Sequence, residues 1–156
     1  MAVKNVDYII VGQGLAGSCL ALQLLRQQKR ILIIDEPQAH AASVVAAGLF
    51  NPITGRQMGK TWMADEVFPY LHRFYQQAET LLQKHFFYPV PLYRPFVSVE
   101  EQNEWMGRST DEPFALYINQ VATRPVHEFR VKDTFGGLML NQCGYVNTHI
   151  FFKCRP

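Results

Sequence analysis

Residues 7–11 read D-Y-I-I-V, a short β-rich run stopped by Gly12. Continuous apolar character over so few residues suits a strand buried on both faces of a parallel sheet, so this first strand is expected to be central. From Leu15 the period changes to that of a helix. Leu15, Cys19, Leu22 and Leu25 share one face, Leu20 and Leu24 flank it, and Arg26, Lys29 and Arg30 give the basic finish that a helix C-terminus favours. Ile31 to Ile34 is a second apolar run, read as another buried strand and closed by Asp35-Glu36-Pro37. Together the three predict a β-α-β unit.

Residues 39–59 are rich in small side chains and hold no sustained period, which predicts an irregular loop with one short helix. Between Ala64 and His85, Val67, Leu71, Phe74, Ala78, Leu81 and Leu82 recur at helical spacing, and Pro69 is tolerable near the first turn of such a helix. Residues 86–99, punctuated by Pro89, Pro91 and Pro95, suit an edge strand or extended segment. A short helix is expected over 100–108. Strands are expected over 126–132 and 134–140, the second interrupted by Gly136-Gly137, pairing through a turn at Asp133. The chain divides on this reading into residues 1–63, 64–142 and 143–156.

Composition narrows the classes of function. In 156 residues, 15 Lys and Arg stand against 13 Asp and Glu, with no run of like charge, which leaves no electrostatic footprint for nucleic acid or an anionic membrane. No transmembrane segment is expected, since no stretch reaches the roughly 18 uninterrupted apolar residues of a span. The apolar stretch from Tyr8 to Leu25 is broken by glycines and preceded by Asp7, unlike a secretory signal. Cys19, Cys143 and Cys154 are odd in number and widely spaced, which disfavours a disulfide scaffold and fits a reduced, cytoplasmic compartment. His40, His72, His85, His127 and His149 show no ligand spacing, so no metal site is expected.

The chemistry lies in Gly12-Gln13-Gly14-Leu15-Ala16-Gly17, a G-x-G-x-x-G run between a predicted strand and a predicted helix. Each glycine is needed for a different physical reason. Gly12 makes the tight turn, Gly14 lets the backbone approach a pyrophosphate, and Gly17 lets the helix pack closely on the strand. The free N–H groups and positive dipole end of the helix, with Leu15 and Ala16 in its first turn, then face the phosphates. Asp35 ends the second strand 23 positions after Gly12, placed to accept hydrogen bonds from a ribose hydroxyl. With Glu36 beside it, a 2′-phosphate would be repelled, which disfavours an NADP-type cofactor.

These residues, with the small-residue loop S-V-V-A-A-G-L-F-N-P-I-T-G-R at Ser43 to Arg56, resemble the FAD-dependent oxidoreductases of the D-amino acid oxidase and glycine oxidase superfamily. The resemblance implies an α/β fold: a Rossmann-type FAD-binding β-α-β start carrying an inserted α+β substrate-side segment. It also implies that Ser43, Ala46, Ala47 and Gly48 run along the flavin, where lack of bulk permits close backbone approach. Arg56 and Lys60 read either as cations on the flavin or substrate side or as solvated bases flanking a turn. The implied reaction is oxidation of a small-molecule amine or amino acid by hydride transfer to FAD. Members of the superfamily are longer, so the resemblance further implies an incomplete fold, a truncated chain or one subunit with a complementary C-terminal half, and no catalytic residue is assigned. A non-catalytic nucleotide-binding remnant or accessory subunit stays open as the alternative. A soluble NAD-dependent dehydrogenase fits the glycine run but not the Ser43 to Arg56 loop.

Overall fold

A computed structural model describes residues 5–36, 42–55, 58–126 and 131–154. Its contacts group into two units: residues 1–48, 74–87 and 146–156 form the first, and residues 49–73 and 88–145 the second.

In the first unit β1 (Tyr8–Val11) pairs in parallel with β2 (Ile31–Ile34), and α1 (Leu15–Arg26) connects them. This is the β-α-β arrangement expected. Ile10 packs with Ala21 and Leu24 of α1, with Ile31 and Ile33 beside them. The buried face of α1 carries Ser18, Ala21, Leu22 and Leu24, whereas Leu20 and Leu25 are exposed. The leucine spacing therefore misplaced the face, because small side chains turn inward where the helix lies close to the strands.

The expectation that both strands are buried on two faces is corrected. Cross-strand pairs Ile9↔Leu32 and Val11↔Ile34 put four apolar side chains on the side away from α1. They are 60%, 46%, 82% and 53% exposed in that order, and no described element covers them. Apolar composition reports a strand's affinity for two layers; among the described residues one layer packs on them.

Asp7 fixes where the two strands begin. Its carboxylate accepts from the Arg30 backbone N–H at 2.8 Å and from the guanidinium at 3.0 and 3.3 Å. These hydrogen bonds hold its carboxyl down to about 2. The folded-state value is depressed, so the contribution to stability is present above the ordinary value of 3.8 and is lost as pH falls toward 2. Asp7→Asn is expected to flatten the acid limb of a stability-against-pH curve in that window, by an amount that shrinks with added salt because the pair is solvent-exposed.

The remainder of the first unit is aromatic. Tyr75 stacks on Phe87 at 5.4 Å and meets Phe86 and Phe151 edge-on, so residues 74–82 of α3 (Ala64–Leu82) pack against α6 (Thr148–Lys153) and the chain entering β6 (Phe87–Pro89). The Glu79 carboxylate accepts from the Phe86 and Phe87 N–H groups at 2.6 and 2.7 Å, which closes the turn after the helix. The inward row of α3 is Ala64, Phe68, Phe74, Tyr75 and Ala78, while Val67 and Leu81, expected on that face, are exposed.

The second unit is built on an antiparallel sheet of order β7 (Leu92–Pro95), β9 (Gly137–Leu140) and β8 (Ile118–Ala122). Phe68, Phe96, Trp105, Tyr117, Leu138 and Leu140 form its core. Trp105 comes from α4 (Val99–Arg108), whose first turn is capped by Ser98 Oγ accepting from Glu101 N at 3.2 Å. A four-residue helix, α5 (Glu112–Ala115), precedes β8. Strand β8 was not expected. Of the strand read over 126–132, residues 127–130 lie outside the described residues, and Val126, Val131 and Lys132 are not in a strand. The expected strand over 134–140 begins only at Gly137. Asp133 does open a turn, its O accepting from Gly136 N at 2.7 Å, but that turn leads into β9 from the β8–β9 connection rather than from a strand over 126–132; the buried Asp133 carboxylate accepts from Tyr93 Oη at 2.9 Å and Val126 N at 2.8 Å, anchoring that connection.

The loop over 39–59 holds more structure than expected. After α2 (Ala42–Val45) come β3 (Leu49–Phe50), β4 (Ile53–Thr54) and β5 (Gly59–Lys60). Strands β4 and β5 form a hairpin; β3 pairs with β10 (Gly144–Val146) in a sheet of order β3-β10-β6. Strand β10 then leads through the N-cap Asn147 into α6.

Candidate functional site

The glycine run ends β1 and starts α1. Gly12 N–H donates to Ile34 O at 2.8 Å, and the Gly12 φ of +90° then turns the chain in a conformation that glycine adopts without steric cost. Gly14 is the N-cap, and its side of the helix has no side-chain cap of its own. A Cβ at Gly17 would lie 2.0 Å from Gly12 O, so the missing side chain is what allows α1 to meet the turn. Ser18, fully buried, donates its hydroxyl to Gln13 O at 3.2 Å and its N–H to Gly14 O at 2.9 Å.

Leu15 N–H donates to Ser43 Oγ at 3.2 Å. The N–H groups of Ala16 and Gly17 have no partner among the described residues, as is usual for a helix's first turn. Asp35 reaches back over the loop, accepting from Gln13 N–H at 2.8 Å. Glu36 follows it and is exposed. Thus the structure gathers Gly12, Gly14, Leu15, Ala16, Gly17, Asp35 and Ser43 at one end of α1.

Ala46 and Gly48 are held through their carbonyls. Ala46 O accepts from Thr148 Oγ1 at 3.2 Å, and Gly48 O from Val146 N at 3.0 Å. Gly48 has φ +70°, and a Cβ there would lie 1.9 Å from Val146 O. Ala46 and Ala47 are exposed. Ser18, Val146 and Thr148 escaped the sequence reading. Ser18 directly follows the glycine run and could have been found; Thr148 could not, since its partner lies 102 residues away.

In the second unit, Lys60 Nζ pairs with Asp65 Oδ2 at 2.5 Å, and Tyr117 Oη donates to the other Asp65 oxygen. The ammonium also lies 5.5 Å from the Tyr117 ring centroid. The Asp65 carboxyl is lowered, first by the Lys60 hydrogen bond and then by that of Tyr117; burial and Asp65 push the Tyr117 phenol up. Neither Asp65 nor Tyr117 was legible as a partner of Lys60, the one because it is adjacent to a helix start, the other because it is distant in sequence. Arg56 lies outside the described residues.

The three cysteines are free. Cys19 Sγ stands 3.7 Å from Tyr75 Oη, and burial pushes its thiol up; burial likewise holds the Cys143 thiol up at about 11. Neither has the electropositive, accessible setting of a reactive thiolate. Among the described residues, no cluster of three or more His, Cys, Asp or Glu is placed to hold a metal, and no helix is long and apolar enough to cross a membrane.

A family model described as FAD dependent oxidoreductase (DAO) matches residues 7–154, a span that includes the glycine turn, the Ser43 loop and the Lys60 cluster.

Proposed function

The chain belongs to the FAD-dependent oxidoreductase family, and from that premise we propose that it serves oxidation of a small-molecule amine or amino acid, with FAD held by the glycine run of the first unit. FAD is the family's cofactor; when bound, it supplies the acceptor for the electron pair leaving the substrate. The residues present fit it. The first-turn N–H groups of Ala16 and Gly17 meet a pyrophosphate at the positive end of α1, and Gly14 puts no side chain beside them; a Cβ there would meet the Ser43 side chain, its Oγ at 3.2 Å. Asp35, already turned toward the loop by its bond to Gln13 N–H, takes the ribose hydroxyls. The stretch Ser43, Ala46, Ala47 and Gly48 lies along the flavin.

The observation that carries this reading is the convergence of Asp35 and Ser43 on the N-terminus of α1. Two side chains from separate segments both bind the backbone of the glycine turn, which fixes the geometry of the site before a ligand arrives. Titration with FAD is expected to give a saturable visible flavin band that travels with the protein, while NAD at the same concentration gives no saturable binding. Amine-dependent bleaching of that band distinguishes an enzyme from a non-catalytic nucleotide-binding remnant. Tight NAD binding without a flavin signal would sink the reading.

The exposed face of Ile9, Val11, Leu32 and Ile34 supports a complementary polypeptide as partner, because apolar side chains this exposed and contiguous favour burial. The chain alone is expected to associate, and Val11→Thr with Ile34→Thr to reduce that association by light scattering while leaving FAD binding intact.

A further inference from the structure

The second unit holds a cleft of its own. Its volume is about 300 Å³, at the low end of the range for small-molecule sites, and Pro95, Phe96, Val97, Lys132, Thr134 and Phe135 line it. All six belong to the second unit. One wall is the chain leaving β7, and the other is the turn that leads into β9. Phe96 is buried in the core and Phe135 packs against that core, so the apolar part of the lining is backed by fixed neighbours.

The walls are tied before anything enters. Phe96 N–H donates to Gly136 O at 3.0 Å, which joins one wall to the other. Gln102 Nε2 donates to Phe135 O at 2.6 Å and to Thr123 O at 3.1 Å, and Val97 N–H donates to Glu101 Oε2 at 2.8 Å. A cleft braced in this way loses little freedom when a ligand binds. The polar part of the lining carries one sign of charge, since no acidic residue belongs to it. Glu101 and Asp133, which brace the walls, are engaged by Arg94 and Val97 N–H and by Tyr93 and Val126 N–H. Lys132 and Thr134 are exposed, and their side chains have no hydrogen-bond or ion-pair partner among the described residues.

An unneutralised ammonium and a hydroxyl beside an apolar lining select a ligand with an anionic head and a compact apolar body. We propose that this cleft binds a small monocarboxylate with an apolar body, its carboxylate on Lys132 and Thr134 and its body against Phe96 and Phe135. The test uses the full chain without added flavin, at neutral pH, and three probes. These are hexanoate; hexanamide, which differs only in the carboxylate; and acetate, which lacks the body. Backbone amide shifts of Phe96, Val97, Thr134 and Phe135 report binding. Hexanoate is expected to move them saturably and to bind at least about fivefold more tightly than hexanamide, the size of a charge-assisted bond to a solvent-exposed lysine. Added salt should shrink that preference, and acetate at the same concentrations should give no saturation.

Lys132→Gln should bring the ratio of the two affinities to about one while leaving hexanamide binding unchanged. Val97 is 76% exposed, so Val97→Glu places a carboxylate at the lip without disturbing the core, and it should weaken hexanoate alone. No saturable hexanoate shift in wild type, equal affinity for hexanoate and hexanamide, or a ratio unchanged in either variant overturns the proposal. Lys132 is then a solvated charge on a connecting segment. Acetate binding as tightly as hexanoate overturns the role of the apolar body. The oxidoreductase reading fails or holds separately, on the flavin band, which none of these measurements uses.

Discussion

Gly17→Ala is expected to destabilise the first unit by about 3 kcal/mol or more and to lower the melting temperature by roughly 10 °C. One methyl group is enough because of what it would meet. Its carbon would lie 2.0 Å from Gly12 O, 3.1 Å from Gly12 C and 3.4 Å from Ile10 Cγ2. The nearest atoms are backbone, so no side-chain rotation relieves the overlap; α1 must move off β1, and Ala21 and Leu24 lose their packing on Ile10 as it does. The control is Gly107→Ala in α4, where a Cβ meets nothing within 4 Å. That variant should gain about 0.5–1 kcal/mol, since alanine loses less backbone entropy in a helix than glycine. Thermal unfolding of the two variants beside wild type measures both. Equal small effects would mean that α1 does not sit on the Gly12 turn.

The same locality decides which parts of the fold are legible in the sequence. The glycine turn, α1, β2 and the acidic strand end were legible because each rests on interactions within a few residues: a turn that needs φ above zero at Gly12, a helix that starts when Gly14 ends, a strand closed by Asp35. The amphipathic helix α3 was legible in position, although its inward face was misjudged at Val67 and Leu81. Strand β8 was not legible. Its sequence, I-N-Q-V-A, has Asn and Gln where an alternating pattern wants a fixed face, and its pairing with β9 contains a register shift between Ile118 and Gln120. Such a strand is specified by its partner, and nothing nearby in sequence announces it. The same reason hid β3, β4 and β5, which are two residues each.

The candidate site divides along the same line. Its backbone frame is local and is read directly. Its anchors are not: Ser43 reaches Leu15 across 28 residues, Thr148 reaches Ala46 across 102, and Tyr117 reaches Asp65 across 52. Of these only Ser43 is reachable from sequence, through resemblance of its loop rather than through any local rule. Exposure of the outer face of β1 and β2 was equally out of reach, because V-I-L-type strands carry the same composition whether or not a second layer is present.

Gly14→Val is expected to leave the fold in place and to weaken FAD binding by at least about 100-fold, or about 2.7 kcal/mol. Gly14 has φ −68° and ψ −168°, a conformation open to any residue, so valine introduces no backbone strain. The closest atom to a Cβ there is Ser43 Oγ at 3.2 Å, the end of a side chain that can rotate away. Even if the bond from Leu15 N–H to Ser43 is lost, the cost is that of a helix cap, about 1 kcal/mol. The branched side chain, however, stands in front of the first-turn N–H groups that the pyrophosphate uses, and it keeps phosphate oxygens beyond hydrogen-bond distance. Ser43→Ala separates the two effects: it removes the same cap and adds no bulk, so it should lose comparable stability while retaining flavin affinity within about tenfold. Flavin titrations and thermal unfolding on the same preparations decide it. If Gly14→Val binds FAD as tightly as wild type, the pyrophosphate does not approach the backbone at this turn; if instead it unfolds as readily as Gly17→Ala, the space in front of Gly14 is part of the core rather than of the site.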